Sequence, residues 1–141
     1  MEVQPYLFFA GRCDEALAFY REALAAEVQM RMRFKDSPHP VPPEHLPPGG
    51  DEKVMHVTFT VGGAVVHASD GQCRSSAGFS GFSLSLGCET DAQVDRAFNA
   101  LLAGGGTVQM PLDKTFFASR FGMVTDKFGV SWMVMNNCAM K

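Results

Sequence analysis

Residues 114–132 read KTFFASRFGMVTDKFGVSW, a run that mixes aromatic side chains with lysine, arginine and aspartate. Two apolar stretches flank the triplet Lys-Phe-Gly at 127–129. Apolar and β-branched residues on both sides of a short glycine-containing turn are typical of a β-hairpin. We therefore predict two antiparallel strands, 120–126 and 130–136, joined by this turn.

The composition of the same stretch allows two interpretations. Ordinary packing would explain Phe121, Phe128 and Trp132, whereas a binding cavity would explain why aromatic rings accompany Lys114 and Arg120. For Asp126 and Lys127, which precede Gly129, a structural turn or a surface pair is the favoured interpretation.

The whole chain has the composition of a globular domain. It has 141 residues, of which 46% are apolar and 19% charged, and its net charge is −3. That charge gives no reason to expect nucleic acid as a partner. No secretory signal and no membrane-spanning apolar run is recognisable, so we expect a cytoplasmic protein without a membrane partner. Four cysteines, at 13, 73, 88 and 138, lack zinc-site spacing and are interpreted as reduced thiols.

The first half of the chain is predicted to contain strand, helix, strand and hairpin. Residues 3–9 and 28–34 have the composition of strands, and the helix predicted between them has an apolar face. Residues 54–69 form a hairpin that turns at Gly62-Gly63. Between these elements, residues 36–52 carry six prolines, which exclude a helix or a central strand and predict a long surface loop. A polar segment, 70–78, is the predicted internal boundary.

The second half repeats that order. A strand is predicted within 79–88, and a helix follows in 90–106, where Thr90 and Gln93 suggest a capping box and Gly104 to Gly106 end it. A strand at 107–112 and the hairpin described first complete the half. The tripeptide Val-Gln-Met follows both predicted helices, at 28–30 and at 108–110. Aligning the turn glycines places His67 opposite Met133.

This repetition predicts an α+β protein made of two βαβββ modules, 1–70 and 78–141. The curved mixed sheet of each module has one face covered by its helix, so the other face has to be buried or used. Two such sheets side by side would enclose a shared cavity lined from both halves.

Three stretches resemble one known superfamily: PYLFFAGRCDEALAFYREAL, SDG followed by GFSLSL, and KTFFASRFGMVTDKFGVSW. They are similar to the vicinal oxygen chelate superfamily of glyoxalase I, bleomycin-resistance proteins and extradiol dioxygenases. Within it they resemble the PhnB-like proteins, also catalogued as 3-demethylubiquinone 3-methyltransferase-like. The resemblance implies the glyoxalase fold, a ligand cavity and a homodimer.

The resemblance also implies four metal ligands, one on the first and one on the last strand of each module. In this chain those strands offer Gln4, Pro5 or Tyr6, then His67, then Phe82 or its neighbours, and Met133. Only His67 is a good ligand, with His56 nearby, and no carboxylate stands at these positions. We therefore predict no metal or other cofactor. A divalent-metal glyoxalase or dioxygenase using His67 and His56 stays open as the alternative.

Without a metal, the cavity is expected to bind a small molecule, with Arg120 suited to an anionic group. The predicted lining residues are Tyr6, Phe8, His56, His67, Phe82, Phe116, Phe117, Arg120, Trp132 and Met133. Core packing is the favoured interpretation of Trp132 and His67 taken singly, and for Arg120 an ion pair with a carboxylate of its own chain or of a partner subunit stays open. No strand–GxGxG–helix run is present for S-adenosylmethionine, so we expect no methyltransferase activity; whether the protein is an enzyme at all is left open.

Overall fold

The computed structural model describes residues 1–47, 49–71 and 78–136. The chain divides into two compact units, Met1–Ala77 and Gly78–Lys141. Within these described residues, each unit contains one α-helix and one mixed four-stranded sheet, which confirms the predicted α+β class. Most of the segment 70–78, with Cys73, and also Cys138 lie outside the described residues.

Unit 1 contains β1 (Tyr6–Phe8), α1 (Cys13–Leu24), β2 (Glu27–Arg33), β3 (Val54–Val61) and β4 (Ala64–Ser69). Its sheet, sheet 1, has the strand order β1-β4-β3-β2. Strand β1 runs parallel to β4, and the other neighbours are antiparallel. The predicted hairpin is β3 and β4.

Unit 2 contains β5 (Leu84–Cys88), α2 (Asp91–Leu102), β6 (Thr107–Asp113), β7 (Phe121–Thr125) and β8 (Ser131–Asn136). Its sheet, sheet 2, has the equivalent order β5-β8-β7-β6, again with one parallel pair, β5 and β8. The predicted C-terminal hairpin is β7 and β8. The strand predicted within 79–88 is shorter than expected and begins only at Leu84.

Each helix covers one face of its own sheet. On α1, Leu17 and Tyr20 are buried, and the Tyr20 ring lies parallel to that of Phe59 on β3 with centroids 6.3 Å apart. On α2, Phe98 is buried over β7, where a Cβ added at Gly122 would lie 2.8 Å from the Phe98 ring. Burying each large apolar side chain contributes about 1.5–3 kcal/mol, so these helix–sheet layers are the cores of the two units.

The repeated Val-Gln-Met has a structural reason. Val28 pairs with Phe59 but Met30 pairs with the adjacent Thr58, so Gln29 is an extra residue in β2. The same shift lies between Val108 and Met110 in β6. A β-bulge of this kind reverses the alternation of side chains. The valine therefore lies on the helix-covered side of each sheet and the methionine on the opposite side.

Side chains cap the start of both helices, but only part of this capping was predicted. Thr90 Oγ1 accepts from the Gln93 N–H at 3.1 Å as predicted, but Gln93 Oε1 accepts from the Glu89 N–H at 2.8 Å, not from Thr90. The start of α1 is held by Asp70, whose Oδ1 accepts from the N–H groups of Gly11 and Cys13. Sequence analysis missed this long-range cap.

The proline-rich segment 36–52 contains short turns of 3₁₀ helix at Pro43–His45 and Gly50–Glu52. The prediction that it holds no helix was therefore too strict, because proline is tolerated in the first turn of a helix. Within residues 1–47, 49–71 and 78–136, none of the helices has the length and apolar character that crossing a membrane requires.

Candidate functional site on the open face of sheet 1

The face of each sheet that its helix does not cover is called its open face. In sheet 1 a row of directly paired residues crosses this face: Tyr6 pairs with His67, His67 with Thr58, and Thr58 with Met30. We call these four residues the imidazole row. His56 lies on the same face of β3, two residues before Thr58, because side chains alternate along a strand.

A continuous chain of hydrogen bonds links five side chains on this face. Tyr6 Oη lies 3.0 Å from His56 Nδ1, and His56 Nε2 lies 3.1 Å from Thr58 Oγ1. Thr58 Oγ1 also lies 3.0 Å from His67 Nδ1, and His67 Nε2 lies 2.7 Å from Gln4 Oε1. We call these five residues the polar chain. Three polar side chains from β1 and β3, together with Gln4 just before β1, are thereby held in fixed positions relative to His67.

The Gln4 end of the polar chain determines which group donates in each of its hydrogen bonds. The Gln4 amide nitrogen donates to Glu2 at 2.9 Å, so its oxygen faces His67 and His67 Nε2 carries the hydrogen. In a neutral imidazole the other nitrogen then accepts, so the Thr58 hydroxyl donates to His67 Nδ1.

The remaining two bonds are fixed in the same way. A hydroxyl has only one hydrogen, so Thr58 accepts from His56 Nε2. His56 Nδ1 is then the acceptor, and the Tyr6 hydroxyl donates to it. With both rings neutral, the two histidines are Nε2–H tautomers, and the lone pairs of the Tyr6 oxygen stay available to an outside donor.

Aromatic rings surround the polar chain. The Tyr6 ring centroid lies 5.1 Å from that of Phe8 and 5.9 Å from that of His67. The rings of His56 and His67 are 5.3 Å apart and inclined by 28°. Such spacing is typical of offset aromatic packing. Tyr6 is 41% exposed, so the edge of this cluster faces outwards.

The environment favours the uncharged state of His56. Partial burial lowers the pKa of His56 from its ordinary value of 6.5, and the neighbouring His67 lowers it further. A lowered pKa is consistent with the neutral tautomer that the hydrogen bonds require. The lowered pKa therefore favours a neutral imidazole at His56.

The donors on this face do not fit the divalent-metal site of the superfamily. His56 Nε2 and His67 Nδ1 converge on one hydroxyl, and a catalytic ion needs about three protein ligands. Tyr6 and Gln4 offer a phenol and an amide, with no carboxylate among them. In the described part of the chain, no cluster of three or more His, Cys, Asp or Glu side chains is arranged to hold a metal ion.

The equivalent row of sheet 2 has different chemistry. Ser85 pairs with Met133, Met133 with Met123, and Met123 with Met110. We call the three methionines the thioether row. Met133 is thus equivalent to His67, as the alignment of turn glycines predicted, while Ser85 and not Phe82 is equivalent to Tyr6. Phe82 lies before β5, 45% exposed, with its ring 6.4 Å from that of Phe79.

Trp132, predicted to line the cavity, lies instead in the core of unit 2. It is 4% exposed, on the opposite face of β8 from Met133, and its indole Nε1 donates to Asp126 Oδ2 at 2.9 Å. Asp126 Oδ1 also accepts from the N–H groups of Phe128 and Val130. This confirms the interpretation of Asp126 as a structural turn residue. Because adjacent strand residues point to opposite faces, Trp132 and Met133 could not share one lining.

Arg120 is engaged on the helix side of unit 2. Its Nε donates to Asp95 Oδ1 of α2 at 2.8 Å, and this bond raises the pKa of the guanidinium. The ion pair within the chain is therefore the alternative that the structure adopts. The Nε group of Arg120 is therefore committed to Asp95 and not to a ligand.

Two further predicted residues lie together in the loop before β7. Phe116 is fully exposed, and its ring lies 5.2 Å from that of Phe117. Phe117 in turn packs edge-on against Phe121, again at 5.2 Å. Tyr6, Phe8, His56 and His67 are therefore brought together in unit 1, whereas Phe82, Phe116, Phe117, Arg120, Trp132 and Met133 belong to unit 2.

Sequence analysis missed two residues that matter for these faces. Thr58 connects the two histidines, and its position between His56 and Thr60 on a polar strand face was a usable signal. Met123 completes the thioether row, and the repeat of Val-Gln-Met could have drawn attention to its partner Met110. Neither residue belongs to a recognisable motif, because pairing across strands leaves no fixed spacing in the sequence.

Solved structures are similar in fold to this chain. The glyoxylase/bleomycin resistance protein/dioxygenase domain from Frankia is 17% identical, with a TM-score of 0.63 over 97% of this chain and 92% of its own, and at that identity the likeness shows the fold alone. The fold is therefore that of the glyoxalase and bleomycin-resistance proteins, as the resemblance implied.

A narrower group is defined by closer similarity. The profile of the 3-demethylubiquinone-9 3-methyltransferase family matches residues 1–135, and the chain belongs to this PhnB-like family. Protein YjdN from Escherichia coli is 36% identical over 95% of this chain and 94% of its own. Protein PA1353 from Pseudomonas aeruginosa is 40% identical, covering 97% and 98%, with a TM-score of 0.81. The PhnB protein from Bacillus cereus is 30% identical, covering 96% and 99%, with a TM-score of 0.77.

Proposed function

We propose that the protein binds a small, flat molecule on the open face of sheet 1 without the help of a metal ion. The observation that carries this proposal is the direction of the polar chain. Tyr6 donates inwards to His56 at 3.0 Å, so its exposed oxygen offers lone pairs to a ligand. A ligand with an O–H or N–H group would meet a fixed acceptor there.

The rings around that acceptor favour an aromatic ligand. The Tyr6 ring lies between the other two, 5.1 Å from the Phe8 ring and 5.9 Å from the His67 ring. A further ring packed against this cluster would gain about 0.5–1.5 kcal/mol beyond the apolar area it buries. We expect a neutral ligand, because the lowered pKa of His56 favours an uncharged ring and Arg120 is paired with Asp95.

Methyl transfer is not part of this proposal, although the family carries that name. The glycine-rich run 104–106 follows α2 and precedes β6, where it ends the helix. A dinucleotide-type or S-adenosylmethionine loop would connect a strand to the start of a helix instead.

The test is an NMR titration with four probes: phenol and indole as donors, benzoate and phenylphosphonate as anions. We expect phenol and indole to shift the Tyr6, His56 and His67 signals and the anions to have little effect. Tyr6→Phe should weaken phenol binding about tenfold, or 1.4 kcal/mol, while Phe82→Leu serves as the matched aromatic control in unit 2. The proposal is wrong if the anions bind as well as the donors, or if no probe shifts these signals.

We also propose that the protein is a homodimer. Its support is the exposed apolar side chains on the two edge strands, Val28 on β2 and Val108 on β6, which are 43% and 42% exposed. Exposed apolar edges favour association with another chain. Light scattering tests the assembly state, and a monomer at all concentrations would contradict the proposal.

A further inference from the structure

We propose that the thioether row of sheet 2 binds a soft monovalent cation, Cu(I) or Ag(I). Met110, Met123 and Met133 stand directly opposite one another on three neighbouring strands. The β-bulge at Gln109 is what directs Met110 to the same face as the other two. The proposal concerns unit 2 alone and does not depend on the ligand site of sheet 1.

The geometry allows the three sulfur atoms to approach one cation. Directly paired residues on neighbouring strands have Cβ atoms about 4.5–5.5 Å apart. Methionine has three rotatable bonds and adapts its shape easily. The two outer methionines can therefore lean over the central Met123 from both sides.

The chemistry of the donors selects the type of cation. Thioethers are soft neutral ligands, which favour Cu(I) and related ions over Mg²⁺, Ca²⁺ or Zn²⁺. Neither the three methionines nor the paired Ser85 supplies a carboxylate, so a hard divalent ion would lack the oxygen ligands it requires. A monovalent ion needs less compensation for its charge in such a site.

Core packing accounts poorly for the same three residues. The neighbouring side chains of these strands, Val124 and Val134, are completely buried beneath α2. By contrast, Met110 is 45% exposed, and Met123 and Met133 are only partly buried. Three aligned thioethers that remain accessible are available as ligands.

Silver nitrate in chloride-free buffer is the probe, because Ag(I) does not change oxidation state under these conditions. Accessible thiols are first blocked with N-ethylmaleimide, whereas Cys13 and Cys88 are buried. The methyl groups of all nine methionines are observed by NMR. We expect the Met110, Met123 and Met133 methyl signals to shift together and to saturate at stoichiometric silver. Zinc should leave them unchanged.

Variants decide whether the three residues act as one site. Met123→Leu, which keeps the volume of the side chain, should weaken silver binding at least tenfold. Met55→Leu, on β3 of unit 1, should not, and melting temperatures confirm that both variants fold. Silver held only by residual thiols, equal shifts at Met55, or unchanged affinity of Met123→Leu would each overturn the proposal. A response at His56 and His67 instead would place the metal on sheet 1 and also contradict it.

Discussion

Equivalent rows of the two sheets carry opposite chemistry on the same framework. In sheet 1 the row runs Tyr6, His67, Thr58, Met30, and hydrogen bonds connect its hydroxyl and imidazole groups. In sheet 2 the strands pair in the same order, but the corresponding positions are Ser85, Met133, Met123 and Met110. Strand pairing depends on the β-bulge and on a glycine-containing hairpin turn, and both units have these two features. The exposed side chains of the two open faces differ, and so do the binding properties that we propose for them.

The largest losses of stability are expected for substitutions in the framework that both units share. Asp70 and Asp126 are 0% and 3% exposed, and each carboxylate accepts backbone N–H groups that order a loop of its unit. Because replacement by alanine leaves buried donors unpaired, we expect Asp70→Ala and Asp126→Ala each to lower the free energy of unfolding by about 3 kcal/mol. Urea denaturation measures this, with the exposed Asp51→Ala as control. If one of the two variants is as stable as the control, the two units do not depend on their buried aspartates to the same extent.

The next prediction breaks the imidazole row at its centre. Thr58→Val keeps the shape of the side chain but removes the hydroxyl that joins His56 to His67. We expect the free energy of unfolding to fall by about 1 kcal/mol. We also expect that the two rings no longer share the same tautomer. Thr60→Val, on the same strand and face but outside the polar chain, is the matched control. Identical histidine spectra in both variants would mean that the polar chain does not set the tautomers.

A smaller effect is expected from pH. Since burial and His67 lower the pKa of His56 below 6.5, the unfolded chain binds a proton more readily than the folded protein. The resulting stability is complete above pH 6.5 and decreases as the pH falls through the pKa of the folded state. An NMR titration of His56 should give a midpoint below the value measured in urea. His67→Gln should raise that midpoint; a midpoint unaffected by this substitution would exclude the electrostatic contribution of His67.

The smallest effect on stability is expected in the thioether row. Met123→Leu conserves volume at a partly exposed position, so the free energy of unfolding should change by less than about 1 kcal/mol. Val124→Ala, one residue further along β7, removes a side chain buried against α2 and should cost about 2 kcal/mol. Thermal denaturation of the pair compares the two faces of one strand. Equal losses would show that Met123 belongs to a core.

Much of the framework could be predicted because its signals are local. The apolar face of α2, the turn glycines at 62–63 and 129 and the double Val-Gln-Met indicated the elements and their repetition directly. The failures are long-range. Asp70 caps a helix that begins 57 residues earlier in the chain, and no local pattern shows this.

The candidate site was predicted less completely for the same reason. Tyr6, His56 and His67 lie on three strands, and only the register of the sheet brings them together. For Trp132 the packing alternative is the one the structure adopts, since the alternation along β8 places it on the helix-covered face. For Arg120 the ion-pair alternative holds, because α2 offers Asp95 at 2.8 Å.

A long-range ¹H–¹⁵N NMR spectrum of the histidine side chains at neutral pH, recorded before and after addition of Zn²⁺, tests the central claim most directly. The account predicts that His56 and His67 are both neutral Nε2–H tautomers and that zinc leaves their signals in place. Stoichiometric zinc binding that shifts both rings would contradict it, because the open face of sheet 1 would then be a metal centre.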